Sequence, residues 1–157
     1  MVFMKTNKSV AILHKQLAVD CFNKVWDILD INDRTESEAE EMVHLCHSSF
    51  WNWTQVEDHT QQNLSIGYWQ LSRVYSEVGN GEQALHYAKR CLTISNEAEL
   101  APFYVSYAYE ALARAHSILK QTEQVEKNLT LANKFRNLVD DVESRKLLED
   151  DLENIKR

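Results

Sequence analysis

The chain is poor in the residues that make tight corners, since its 157 residues include three glycines and one proline. Turn-rich β architectures need Gly, Pro and Asn-Gly pairs at many corners, so this composition favours an all-α fold. The chain also has no apolar run near the ~18 residues that a membrane-spanning helix requires. Its N-terminal residues lack both a long apolar core and a small-residue cleavage site. We therefore expect a cytoplasmic protein that does not bind membranes.

Basic charge is also scarce, because 17 Lys and Arg residues stand against 24 Asp and Glu residues, a formal net charge of -7. Nucleic acid rewards basic patches, and no run of Lys and Arg supplies one, so nucleic acid is not expected as a partner. With three glycines the chain has no Gly-rich phosphate loop and no dinucleotide fingerprint. Cys21, Cys46 and Cys91 lie on apolar stripes and are predicted to be buried, reduced thiols. These observations indicate a non-catalytic protein without a cofactor.

Helical periodicity is the strongest positive signal. Apolar residues recur every four positions from Leu13 and Leu17 onward, which predicts a first helix over about 9–30. Thr35 and Glu38 have the spacing of a capping box, so a second helix begins near 36 and runs to about 54. The same periodicity predicts five more helices, over about 60–78, 82–95, from 102, over 122–138 and from about 140.

The chain matches itself when it is shifted by 41 residues, which places Tyr68 on Tyr109 and Leu71 on Leu112. The first copy has the order aromatic, Leu, small, aromatic, Gly, then small residues on the next helix. Its residues at these positions are Tyr68, Leu71, Ser72, Tyr75, Gly79, Ala84, Ala88 and Cys91. This order resembles the tetratricopeptide repeat (TPR). The second copy is weaker, because Lys120 replaces the turn glycine and the interval exceeds the ~34 residues usual for that family.

From about Glu41 onward the chain also resembles small, uncharacterised bacterial helical-repeat proteins, through its His-rich second helix and the "YEALARAH" segment of its fifth helix. The resemblance implies a right-handed, TPR-like α-superhelix of antiparallel pairs over 1–157, and no assigned activity. Its parts would be a degenerate pair over 9–56, repeats over 60–97 and 100–138, and a capping helix over 139–157 with a solvated charged face.

One surface follows from the repeat resemblance, because the first helix of each pair lines the concave face in resembling proteins. The residues that point away from the core stripe on the third and fifth helices are Ile66, Trp69, Arg73, Tyr107, Glu110 and Arg114. Aromatic residues and Arg dominate binding hot spots, so this groove is predicted to bind a protein, a peptide or a second copy of the chain. Such a partner would offer one carboxylate to an Arg fork.

A structural interpretation of the same residues is compatible with binding. Arg73, Glu110 and Arg114 would satisfy one another as a buried network, with Trp69 packed beneath.

The second helix carries another candidate, because His44 and His47 lie a turn apart with Trp51 on the same face. Two such His residues can ligate a metal, with His86 as a further ligand if the fold brings it near. The alternative function is therefore a small-molecule or metal-binding site, catalytic in one version, between the second helix and the groove. Di-iron bundles need the Glu-x-x-His unit twice, and the sequence has one copy. The simpler interpretation is imidazoles that hydrogen-bond to neighbouring residues.

Overall fold

A computed structural model describes residues 8–157, with side chains from residue 13 onward, and shows seven α-helices. They are α1 (Lys8–Leu29), α2 (Glu36–Gln55), α3 (Gln61–Glu77), α4 (Gly81–Glu97), α5 (Pro102–Ile118), α6 (Thr122–Arg136) and α7 (Val142–Glu153). No strand occurs in residues 8–157, which confirms the all-α prediction. The expectation about a leader segment rests partly on residues 1–7, which lie outside the described residues.

Local sequence signals set the ends of several helices. At the start of α2 the Thr35 hydroxyl accepts from the Glu38 amide at 3.2 Å, and the Glu38 carboxylate accepts from the Thr35 amide at 2.7 Å. This is the predicted capping box, and Thr60 and Asn63 form a second one at the start of α3. Pro102 lies in the first turn of α5, where no amide donor is needed.

Consecutive helices pack as antiparallel pairs. Lys24, late in α1, bonds Glu41 near the start of α2, while His14, early in α1, bonds Asn52 near the end of α2. The same reversal joins α3 to α4 and α5 to α6. The predicted pairing of the helices is therefore present in the structure.

The face of α1 that contacts α2 differs from the predicted one. Ala18 and Val25 are wholly buried, whereas Leu13 and Leu17 are 55% and 40% exposed. The Ser49 hydroxyl of α2 donates to the Ala18 carbonyl at 2.8 Å, so the two helices come close at this small residue. The prediction that Leu13 and Leu17 face the core was wrong, because the contact line runs one residue further round the helix.

The ends of α3 and α5 have the same backbone conformation. Gly79 has φ 78°, and Lys120, which lies 41 residues later, has φ 58°. In both turns the following amide donates to the carbonyl five residues earlier, at 2.9 Å in the first turn and 3.0 Å in the second. Both turns therefore end a helix with a left-handed residue, although only the first has the glycine that suits this conformation.

Three clusters of buried apolar side chains form the core, and each joins three helices: α1 to α3, then α3 to α5, then α5 to α7. Helix α7 packs against α5 and α6 and buries Leu148 and Leu152. Two other apolar residues of α7, Val142 and Leu147, are 67% and 58% exposed. None of the helices within residues 8–157 has the length and apolar character needed to cross a bilayer.

Candidate functional site

An apolar cleft of about 440 Å³ lies between α3, α5 and α7, with one wall from α1. This volume is within the range of about 300–1,000 Å³ that is typical of ligand sites. We call it the aromatic cleft, because half of its lining residues are aromatic: Trp26, Trp69, Phe103, Tyr104 and Tyr107. Ile66 and Leu147 add aliphatic surface, and Asp151 supplies a carboxylate.

The aromatic side chains of the cleft hold one another in place. Trp26 of α1 stacks on Trp69 of α3, with ring centroids 5.5 Å apart and an angle of 25° between the rings. Tyr107 of α5 meets the Trp69 ring edge-on at 5.2 Å, and Phe103 meets the Tyr107 ring at 5.1 Å. Stacked and edge-on contacts of this kind are the favoured geometries of aromatic pairs. The walls of the cleft are thus preorganised.

A buried ion pair fixes the position of Trp69 from below. The Trp69 indole N–H donates to Glu110 Oε2 at 2.8 Å, and Arg114 Nε donates to Glu110 Oε1 at 2.7 Å. Glu110 is fully buried, and Arg114 is 8% exposed. A carboxylate buried in this way is stable only when it is paired and hydrogen-bonded, and these two donors meet that condition.

Asp151 of α7 completes the polar floor of the cleft. Its Oδ2 accepts from the Tyr107 hydroxyl at 2.8 Å, and its backbone carbonyl accepts from Arg114 at 3.0 Å. Burial raises the pKa of the Asp151 carboxyl, and the nearby charge of Glu110 raises it further. Burial also raises the pKa of the Tyr107 phenol, followed by the charge of Asp151, so this hydroxyl stays protonated as a donor.

Arg73 flanks the floor and is only partly satisfied. Its Nε donates to Glu77 Oε1 at 3.0 Å, and Glu77 also accepts from Arg34 at 2.8 Å. The Nη1 atom of Arg73 is buried and has no hydrogen-bond partner in the part of the chain that the structure describes. The nearest carboxylate oxygen recorded for this atom is Asp151 Oδ1, at 3.9 Å.

The six residues predicted for the groove divide between the surface and the floor of this site. Ile66, Trp69 and Tyr107 line the aromatic cleft. Glu110 and Arg114 lie beneath it as a buried pair, so the Arg114 fork is already occupied and does not receive a partner's carboxylate. Arg73 lies beside the floor. Of the predicted structural network, the pair Glu110–Arg114 is present, whereas Arg73 pairs with Glu77 instead.

The contribution of α7 to the cleft was not predicted from the sequence. Leu147 and Asp151 both line the cleft, yet they lie in a charge-rich segment interpreted as the solvated face of a capping helix. The one usable signal is position, because Asp151 precedes Leu152 and follows Leu148 by three residues, which places it at the edge of the buried face of α7.

The residues of the second candidate site do not converge on one point. His44 and Trp51 are exposed on α2, and His86 is exposed on α4. The nearest charged partner of His44 is Glu40, at 3.8 Å. Among the described residues no three His, Cys, Asp or Glu side chains are arranged to hold a metal ion.

His47 lies against the aromatic residues of the neighbouring helices. Its Nε2 hydrogen-bonds to the Tyr75 hydroxyl at 2.8 Å, and its ring meets the Tyr75 and Tyr87 rings edge-on. Burial lowers the pKa of His47, and the nearby His44 lowers it further. This arrangement agrees with the simpler interpretation of an imidazole that is hydrogen-bonded to its neighbours.

No protein-family model, curated protein or solved structure matches this chain. The fold and the site therefore define its class by themselves. It is an all-α protein of paired helices, with an aromatic cleft supported by a buried ion pair.

Proposed function

We propose that the chain is a non-catalytic binding module of the TPR-like kind, which takes a protein or peptide partner in the aromatic cleft between α3 and α5. The observation that carries the proposal is a preformed cleft of about 440 Å³ with aromatic walls. Rigid aromatic side chains contribute much of the binding free energy in protein interfaces, because they bury a large area at a low cost in conformational entropy.

A side-chain contact between the two copies supports the repeat part of the proposal. Trp69 and Glu110 lie 41 residues apart, which makes them equivalent positions of the two copies, and they bond each other directly. In helical-repeat scaffolds, equivalent positions of neighbouring repeats line one continuous face. The proposed right-handed superhelix would present its concave face here, where the cleft lies.

The chemistry of the cleft favours binding over catalysis. Cys91 is the thiol in its lining, and burial raises the pKa of this thiol to about 12. A thiol that stays protonated is a poor nucleophile. The Ser65 hydroxyl is engaged with the Ser95 hydroxyl at 2.7 Å rather than with a general base.

The proposal also places the module in the cytoplasm. Cys21, Cys46 and Cys91 are free thiols, and the last two are buried. Unpaired thiols of this kind are typical of proteins kept in a reducing compartment.

The test is a selection of peptides from a random displayed library on the immobilised protein, followed by affinity measurements on the synthesised peptides. Leu147 lines the cleft and is 58% exposed, whereas Leu138 is 57% exposed and lies outside the lining. Both can be changed to Glu with little effect on folding. We expect Leu147→Glu to weaken binding by roughly tenfold or more, about 1.4 kcal/mol, because it places a charge in the apolar cleft.

Leu138→Glu is the matched control and should bind the selected peptides like the parent chain. Equal effects of the two variants, or a selection that yields no binding peptide, would refute the proposed function.

A further inference from the structure

We propose that the aromatic cleft takes a methylated lysine side chain as the anchor of its partner, with the alkylated ammonium group between the aromatic walls and the Asp151 carboxylate. The inference rests on the proposed function, because it names the chemistry recognised at the same cleft.

The charge of the lining points to a cation. Asp151 is the one charged side chain among the described residues that line the aromatic cleft. Its side chain is 29% exposed, so it is open to contact by a bound group. An anionic anchor would be repelled by this carboxylate and would meet no cation in the described lining. The formal net charge of -7 also attracts a positively charged partner at longer range.

The arginines near the floor of the cleft do not provide Asp151 with a hydrogen-bonded cation. Arg114 pairs with Glu110, and Arg73 pairs with Glu77, so each arginine has a carboxylate of its own. Arg73 Nη1 lies 3.9 Å from Asp151 Oδ1, which is too long for a hydrogen bond. In the described part of the chain, the Asp151 side chain therefore has no cation at hydrogen-bonding distance, and a cationic ligand would supply one.

The walls of the cleft favour the same kind of ligand. The face of an aromatic ring carries negative electrostatic potential and attracts a cation that lies within about 6 Å of the ring centre, most strongly when the ring is tryptophan. Half of the residues that line the cleft are aromatic, and Trp26 and Trp69 are among them. Groups of aromatic rings are the sites at which proteins recognise quaternary ammonium groups and methylated lysines.

The shortage of acceptors decides which ammonium group fits. A primary ammonium carries three N–H donors, and a guanidinium carries five. In the cleft, the Ser65 hydroxyl is engaged with Ser95, and Asp151 Oδ2 already accepts from Tyr107. A primary ammonium or a guanidinium would therefore lose hydrogen bonds to water that this lining does not replace. Methyl groups in place of those hydrogens contact the aromatic walls instead.

The aliphatic part of the lining accounts for the side chain that carries the cation. Ile66 and Leu147 line the cleft together with the aromatic residues. The four-carbon stem of a lysine side chain can pack along such residues, whereas a small free quaternary ammonium compound leaves them uncovered.

The experiment titrates the full chain with three N-acetyl amides and follows the tryptophan indole N–H signals by NMR. The probes are the amides of Nε-trimethyl-lysine, of lysine, and of the neutral analogue in which a carbon atom replaces the quaternary nitrogen. The signals of Trp26 and Trp69, which line the cleft, should shift, whereas that of Trp51, which is exposed on α2, should not.

The affinities of these probes carry the test. We expect the trimethyl-lysine probe to bind roughly tenfold more tightly than its neutral analogue, which has the same shape but no charge. The unmodified lysine probe should bind more weakly than the trimethyl-lysine probe. Choline, a fourth probe, carries the same trimethylammonium group without the lysine stem and should also bind more weakly.

Asp151→Asn and Asp150→Asn form a matched pair of variants, because each removes one negative charge from α7. Only residue 151 lines the cleft, while Asp150 is exposed and pairs with Lys146 at 3.1 Å. The preference for the trimethyl-lysine probe over its neutral analogue should fall to about threefold or less in Asp151→Asn, where only the aromatic walls remain. Asp150→Asn should keep the full preference.

Thermal melting checks that each variant is folded. If Asp151→Asn is not, Tyr104→Leu replaces it, because this change exchanges an aromatic side chain of the lining for an aliphatic one. The preference for the charged probe should fall there too.

The outcomes separate this inference from the proposed function. Equal affinity of the trimethyl-lysine probe and its neutral analogue overturns the cationic anchor and leaves a cleft that takes apolar side chains. Tightest binding of unmodified lysine or of choline, or a full preference that survives Asp151→Asn, also overturns the methylated lysine. The inference fails as well if no probe binds while library peptides still depend on Leu147. If neither probes nor peptides bind, both proposals fail.

Discussion

Ser65 of α3 and Ser106 of α5 occupy equivalent positions of the two helix pairs, and each hydroxyl meets the residue 26 positions later on its partner helix. Ser65 contacts the Cys91 thiol at 3.7 Å, and Ser106 donates to the Ala132 carbonyl at 2.8 Å. The equivalent arginines differ more. Arg73 pairs with Glu77, one turn after it, whereas Arg114 pairs with Glu110, one turn before it. The packing positions of the two copies are thus alike, while their ion pairs are not.

The difference in ion pairs follows from the sequence, because Ile118 stands at the position equivalent to Glu77 and Trp69 at the position equivalent to Glu110. Helix α7 adds a second difference, since it covers the second pair, where Arg114 donates to the carbonyl of Asp151 and Ser117 donates to the carbonyl of Lys156 just beyond the helix. In the equivalent residues of the first pair, Arg73 Nη1 and Ser76 Oγ are buried and have no hydrogen-bond partner among residues 8–157. The two helix pairs thus share their packing positions but differ in the hydrogen bonds that neighbouring elements supply.

The largest expected effect on stability comes from replacing the two equivalent arginines, Arg73 and Arg114. Arg114→Ala leaves the fully buried Glu110 without its cation and should lower the free energy of unfolding by about 3–5 kcal/mol. Arg73→Ala should cost about 1 kcal/mol or less, because Glu77 is partly exposed and keeps Arg34. Urea unfolding followed by circular dichroism measures both, and similar losses would contradict the idea that the buried pair at Glu110 matters more for stability than the partly exposed pair at Glu77.

The next effect concerns Gly67 and Ala108, which are equivalent positions. A Cβ at Gly67 would lie 2.7 Å from the Phe50 ring, which is itself held 4.5 Å from the Tyr68 ring. Gly67→Ala should therefore cost about 1–3 kcal/mol, because the overpacked ring has to move. The reciprocal change, Ala108→Gly, should cost only about 0.5–1 kcal/mol through helix propensity, plus the lost burial of one methyl group. Thermal melts compare the two, and a neutral Gly67→Ala would show that Phe50 moves freely.

A smaller effect lies in the two helix-ending turns. Lys120 holds the left-handed conformation that Gly79 holds in the first copy. A residue with a side chain pays roughly 1–2 kcal/mol for this conformation, while glycine loses more chain entropy on folding. Lys120→Gly should therefore stabilise the protein by about 0.5–1 kcal/mol, and Gly79→Ala should destabilise it by a similar amount. Denaturant midpoints give the signs, and a destabilised Lys120→Gly would mean that the Lys120 side chain makes a compensating contact.

The smallest effect concerns the second aromatic position of the repeats, which is Tyr75 in the first copy and His116 in the second. Tyr75 bonds His47, whose pKa is lowered first by burial and then by His44. The unfolded state therefore binds more protons than the folded state just below the unfolded histidine pKa of about 6.5. The stability that the neutral His47 side chain contributes is complete above that pH. It is lost as the pH falls through the pKa of His47 in the folded state.

The check is His47→Gln, whose free energy of unfolding should fall less than that of the parent chain between about pH 7.5 and 5. Parallel pH profiles would show that His47 does not titrate differently in the two states.

The helices were predictable because their signals are local. The capping box at Thr35, the proline of α5 and the left-handed turn at Gly79 act within a few residues, and each begins or ends a helix where expected. Trp69 and Tyr107 both line the aromatic cleft, and the shift of 41 residues already placed them on corresponding faces of α3 and α5.

The remaining features depend on contacts between distant parts of the chain. The recurrence of apolar residues every four positions shows that α1 has an apolar face but not which residue meets α2. Leu13 begins that recurrence and is 55% exposed, whereas Ala18 makes the contact. Likewise, the sequence shows that Asp151 is acidic, but only packing shows that it meets Tyr107. No periodic pattern contains such information.

The lining of the cleft also bears on how the protein assembles. Trp26 comes from the first helix described and Leu147 from the last, so the two walls meet only when residues far apart in sequence have been brought together. Contacts between such distant residues close the longest loops, so they cost the most chain entropy before they stabilise the fold. A ligand bound in the cleft would contact helices from both ends of the chain. By mass action it would raise the melting temperature of the protein, so that all three core clusters unfold together at a higher temperature.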